Sequence, residues 1–191
     1  MKTLSKTSLV IIWLCAATQL QANFLHKDTK EIGGGFSGTT QNQYNYTSFG
    51  LEVAPTFSYY FSTHWFVASG LSLGYFYQTT RHQTFNYTSS YAQLNPKLGI
   101  GYYTMITDNL AFAIPVFIYY EFNFGTFGNL SERNASYYDG GAYSIDPALK
   151  IRVSENVLLS PFISVRSLFY SQLTQGLVFK TYYGMNWTYI W

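Results

Sequence analysis

The chain is predicted to be all-β: a transmembrane antiparallel up-and-down barrel of eight strands, with short turns at one end and longer loops at the other. Three observations predict it. In the last fifteen residues Leu177, Phe179, Thr181, Tyr183, Met185, Trp187, Tyr189 and Trp191 alternate with Val178, Lys180, Tyr182, Gly184, Asn186, Thr188 and Ile190, an apolar set against a mostly polar or small one. A period of two is a strand with a different environment on each face. One turn pattern recurs at Ser62-Thr63-His64-Trp65, Thr107-Asp108-Asn109-Leu110 and Ser154-Glu155-Asn156-Val157. The composition is 20% aromatic and only 10% charged, against about 25% charged for a soluble domain.

The chain opens on what reads as a secretory signal over residues 1–22, leaving one domain, 23–191. Lys2 and Lys6 form a basic start, Leu9 to Ala17 an apolar stretch, and Leu20-Gln21-Ala22 a cleavage site. A membrane anchor would need roughly 20 apolar residues, and this run has about half that. Cleavage would remove Cys15, the only cysteine, and take the formal charge from +2 to 0. A neutral chain without a basic patch does not fit a nucleic-acid partner, and a chain without cysteine has no disulfide or thiol chemistry.

Strands are predicted at 31–40, 48–61, 65–78, 90–105, 110–124, 141–153, 157–170 and 176–191. The repeated turns join three of the pairs, because Ser, Asp and Asn satisfy local backbone groups. The stretches 41–47, 79–89, 125–140 and 171–175 are rich in Asn, Thr, Ser, Gly and Tyr and read as loops. Pro55, Pro96, Pro115, Pro147 and Pro161 fall inside predicted strands, where each removes a ladder donor. Local bulges are expected to accommodate them.

Side-chain size decides which face points inward. In the fifth strand Leu110, Phe112, Ile114, Val116, Ile118, Tyr120, Phe122 and Phe124 share one face, and the other is smaller and more polar. An eight-stranded barrel has an interior only wide enough for side chains, so the bulky face must meet lipid. A secreted lipocalin-like barrel, the alternative, would carry charges on its outer face. Trp65, Trp187 and Trp191, with Tyr189, lie near the short-turn end, where an interfacial girdle belongs.

Ionisable residues within the strands take the inward parity: Glu31, Glu52, Lys97, Glu121, Asp146, Lys150, Arg152, Arg166 and Lys180. Of these, Glu52, Lys97, Glu121, Asp146, Lys150, Arg152, Arg166 and Lys180 are read as a lumen charge network. Tight turns at Asp108-Asn109 and Glu155-Asn156 set Lys97 about opposite Glu121 and Asp146 about opposite Arg166, within ion-pair reach. Such pairing satisfies charges that could not stay buried alone. A conduction path is the competing reading of the same residues.

No catalytic, cofactor or metal site is expected. His26, His64 and His82 lack metal-ligand spacing. A set of His82 with Ser89 or Ser90 and Asp139 would be needed for a lipid-acting hydrolase, and nothing in their spacing enforces it. Asn45-Tyr46-Thr47, Asn86-Tyr87-Thr88, Asn129-Leu130-Ser131 and Asn134-Ala135-Ser136 match the glycosylation sequon as a coincidence of an Asn-, Ser- and Thr-rich composition, and read instead as polar, Tyr-studded loop surface.

With these features the chain resembles the small outer-membrane β-barrel proteins of the OmpX/OmpA-like and opacity-protein-like group, over 23–191. The most specific element is the terminal strand signal, matched by Tyr183, Met185, Trp187, Tyr189 and Trp191. The resemblance implies a bacterial outer-membrane location with both termini periplasmic, and recognition of that strand by the barrel-assembly machinery. It implies outer-membrane lipid as surroundings, a monomer, and a structural or surface role with loops 79–89 and 125–140 meeting an extracellular ligand. Lipid A acylase or deacylase activity and a narrow channel are the alternatives.

Overall fold

The computed structural model describes residues 24–43, 46–81, 86–127, 140–168 and 179–191. The expected signal segment 1–22 lies outside them. Nine strand segments follow in chain order: β1 (Lys30–Gln43), β2 (Tyr46–Tyr60), β3 (Trp65–Arg81), β4 (Asn86–Thr107), β5 (Leu110–Phe127), β6 (Gly140–Ile145), β7 (Ala148–Ser154), β8 (Val157–Leu168) and β9 (Phe179–Ile190). All pairings are antiparallel and the sheet closes on itself, β1 pairing with both β2 and β9. The ring is an eight-membered barrel, because β6 and β7 are two halves of one wall strand: both pair with β5 on one side and β8 on the other. Among the described residues no helix is long and apolar enough to cross a membrane; the strands do the crossing.

The outer face is apolar all the way round, with Phe36, Val53, Leu73, Leu98, Ile118, Leu149, Ile163 and Tyr183 among its exposed residues. Inward positions carry Ser, Thr, Gly and Ala with a few large polar or aromatic groups. Inward glycines make those large groups fit. A Cβ on Gly101 would strike the Phe66 ring, and one on Gly70 would lie 2.8 Å from Lys97 Cε.

The structure corrects several sequence expectations. The segment 79–89 is not a loop: β3 and β4 stay paired to Arg81↔Asn86, leaving only 82–85 outside the described residues. Likewise β1 and β2 pair to Gln43↔Tyr46, so most of 41–47 is strand. Loop 125–140 shrinks as β5 runs to Phe127, while 128–139 and 169–178 lie outside the described residues.

Bulges do occur, at Met105/Thr107 and Arg152/Ser154, but not at the prolines. Four of the prolines keep a pairing with one neighbour and interrupt the ladder on the other side. Pro55 faces Gly34 on β1, and the β2–β3 ladder breaks between Val53↔Leu73 and Thr56↔Gly70. Pro96, Pro115 and Pro161 pair with Leu71, Gly101 and Met185 in the same manner. Pro147 separates β6 from β7, yet the register is kept, because the Asp146 N–H donates to Pro115 O (3.0 Å) and Pro147 O accepts from the Ile163 N–H (3.0 Å).

Candidate functional site

The lumen holds the ionisable groups in two levels. Nearer the turn end, Lys150 Nζ lies 2.7 Å from both Glu31 Oε1 and Oε2. The Tyr60 hydroxyl donates to Glu31 Oε2 (2.7 Å) and that of Thr188 to Oε1 (2.6 Å). One carboxylate thereby receives hydrogen bonds from β2, β7 and β9 at once. Further along, Arg166 Nη1 and Nη2 grip Glu52 Oε1 and Oε2 at 2.7 and 2.6 Å, a two-pronged pairing that fixes orientation as well as charge. The guanidinium also stacks on Tyr182, 3.7 Å from the ring centre. Ser37 and Asn95 donate to Glu52. Glu52 is 2% exposed.

Neither of these ion pairs is one expected from hairpin register. Lys97 faces Tyr119, not Glu121, and its ammonium lies over the Phe117 ring at 4.8 Å. Arg166 faces Ser144 on β6, not Asp146. Asp146 is linked to it through Ser164, whose hydroxyl donates to Asp146 Oδ1 (2.6 Å) and accepts from Arg166 Nε (3.1 Å). The two bulges displace both registers from those of simple tight turns. Lys180 sits opposite Arg166 on β9, and Glu121 is buried on β5. Arg152 leaves the network: it donates to Ser154 O and Glu155 O at the turn-end rim, beside the Phe24 ring.

Between the two ion pairs lies a cavity of about 70 Å³, walled by small residues such as Ala54, Ser58, Ala113 and Ser160 and reached by Lys97 and Asp146. Toward the loop end Phe76 stacks on Tyr91 (5.1 Å) and meets Tyr182 edge-on (6.4 Å), so three rings meet inside the lumen. Glu31 is the residue whose role sequence reasoning missed. Its inward parity was legible, but its partner on β7 comes within reach only through barrel closure.

The outer aromatic residues lie where alternation set them. Trp65, Trp187 and Trp191 are 44%, 54% and 51% exposed, with Trp65 edge-on to Tyr102 at 5.4 Å and Tyr189 beside Trp191 at 6.0 Å. Tyr183, Met185, Trp187, Tyr189 and Trp191 share the outward face of the terminal strand, Met185 half-buried against Pro161. Of the imagined hydrolase set, Ser89 is buried in the lumen, while His82 and Asp139 lie outside the described residues. His26 bonds within its own turn, and His64 packs against Tyr102 and Tyr103 of β4 at the turn end. Among the described residues no three His, Cys, Asp or Glu side chains are grouped to hold a metal ion.

A closed eight-strand wall, apolar outside and ion-paired within, defines a small transmembrane β-barrel. No family model and no curated protein matches the chain. Its backbone is similar to solved barrels. The outer membrane protein OprG from Pseudomonas aeruginosa aligns over 89% of this chain and 99% of its own, with 16% identity and a TM-score of 0.63. Ail, the attachment invasion locus protein of Yersinia pestis, solved in complex with the heparin analogue sucrose octasulfate, aligns over 86% and 99%, with 10% identity and a TM-score of 0.55. The chain has the fold of the small outer-membrane β-barrel proteins.

Proposed function

We propose that this chain is a non-enzymatic barrel of the bacterial outer membrane, serving as a structural or surface-interaction protein. The observation that carries this reading is the use of the lumen's charges. Glu52 and Arg166, and Glu31 and Lys150, bind each other in complementary geometry inside the lumen. Groups spent in this way hold the barrel together and are not presented to a substrate. The recognition surface is then placed at the loop end: the outer ends of β3 and β4 with residues 82–85, and residues 128–139. The barrel is a monomer in outer-membrane lipid with periplasmic termini, delivered by a signal at 1–22 and assembled through Tyr183, Met185, Trp187, Tyr189 and Trp191.

The testing experiment is the lipid A mass spectrum of outer membranes with and without the protein. An unchanged spectrum is expected; a gained or lost acyl chain overturns the non-enzymatic reading in favour of lipid modification. A second reading, a narrow channel, draws on the cavity between the ion pairs. It requires conductance in planar bilayers that changes when Glu121 or Arg166 is replaced, and the closed-lumen reading expects none in the unmodified protein.

A further inference from the structure

Before β1 begins, the chain folds back into the turn-end mouth of the barrel. Leu25 is 0% and Phe24 7% exposed, and both belong to one apolar cluster with Tyr60, Phe66, Tyr103 and Leu158 of the wall. The segment is pinned at several points. The Tyr103 hydroxyl donates to Leu25 O (2.9 Å), and the Asp28 N–H donates to Tyr60 O (2.6 Å). Asp28 takes the left-handed backbone region (φ 72°), a conformation Asp tolerates better than most residues, and so makes the tight reversal into Lys30. His26, Lys27 and Asp28 stay in water while Phe24 and Leu25 point inward.

Phe66, Ala68, Ala113 and Phe117 belong both to this cluster and to the wall of the 70 Å³ cavity holding the Glu31–Lys150 pair. The cluster is thus the floor of the space that both ion pairs line. We propose that residues 24–29 are a stopper supplied by the chain itself, which closes the lumen from the turn side independently of the ion pairs above and of anything the loops bind. Apolar side chains suit this task, since they exclude water without needing hydrogen-bond partners inside the mouth.

The test uses the full chain carrying Cys15→Ser, so that a single introduced cysteine reports. Ser160→Cys lines the cavity; Ser89→Cys lies in the lumen toward the loop end. Both replace buried hydroxyls that have no hydrogen-bond partner among the described residues. Modification by a small, charged, water-soluble methanethiosulfonate is timed in folded barrels, with folding read from unheated electrophoretic migration. The stopper variant carries Phe24→Gly and Leu25→Gly; Leu25→Ser is the milder one should the first not fold. Modification of Ser160→Cys is expected to be slow in the intact chain and at least about tenfold faster with the stopper replaced, since the rate follows the population of the open mouth. Ser89→Cys should not change. A Ser160→Cys rate equal in both backgrounds, a fast rate in the intact chain, or an equal rise at both reporters would each overturn the proposal.

Discussion

Replacing Arg166 by Met isolates what the Glu52 pairing contributes. Met keeps an apolar stem against Tyr182 but removes both prongs from a carboxylate that is 2% exposed and reached otherwise by Ser37 and Asn95 at 3.3 and 3.4 Å. Two long neutral hydrogen bonds do not replace a guanidinium. Removing one partner of a buried pair destabilises by about 3–5 kcal/mol, because the remaining charge is left uncompensated. With a urea dependence of roughly 2 kcal/mol per molar, the unfolding midpoint should fall by about 2 M. The assay is urea unfolding of the barrel in lipid vesicles, followed by tryptophan emission and by unheated electrophoretic migration. The second arm adds Glu52→Gln, which removes the stranded charge and keeps acceptors for Ser37 and Asn95. That double variant should recover at least half of the loss. An Arg166→Met barrel that unfolds with the unmodified midpoint would refute the reasoning, as would a double variant no better than the single.

Lys97→Met should behave oppositely: among the described residues its ammonium has no carboxylate in ion-pair contact, so the same unfolding assay should show a loss below about 1.5 kcal/mol, within the range of volume-conserving core changes. Gly101→Ala should destabilise by about 1–3 kcal/mol through overpacking, and more than Gly70→Ala, since the first meets the Phe66 ring in the core and the second the flexible end of Lys97; parallel urea curves rank the two. Trp191→Ala should leave the backbone pairing of Lys30 with Trp191 intact and lower the amount of folded barrel in outer membranes, measured by heat-shifted bands after pulse labelling.

Period-two alternation makes the wall legible in the sequence, because a barrel in lipid must keep every outward residue apolar, and β5 from Ile114 to Phe124 obeys this without exception. Inward parity is legible for the same reason. What could not be read was the partner of each charge. Hairpin arithmetic assumes unbulged turns, and the extra residues near Ile106 and Val153 move Lys97 onto Tyr119 and Arg166 onto Ser144. The real partners meet across the ring: Glu52 on β2 and Arg166 on β8 are 114 residues apart in sequence and adjacent only when β1 and β9 join. The loop at 79–89 failed differently. Its Thr, Ser and Asn residues look like loop, yet they extend a ladder already started by Tyr75, Phe76 and Tyr77.

The prolines give the wall an uneven stiffness. From β1 to β4 the described strands are tied by long ladders in which one short gap, beside Pro55, is the only break. Between β5 and the β6–β7 strand, Pro115 and Pro147 leave two donors missing at neighbouring points, and Pro161 interrupts the next ladder in line. The barrel is therefore a stiff sheet of four strands carried around by a more compliant arc. Lateral stress from a thinner or curved bilayer will concentrate in that arc, where amide protons should exchange first and where the wall will bend before it breaks.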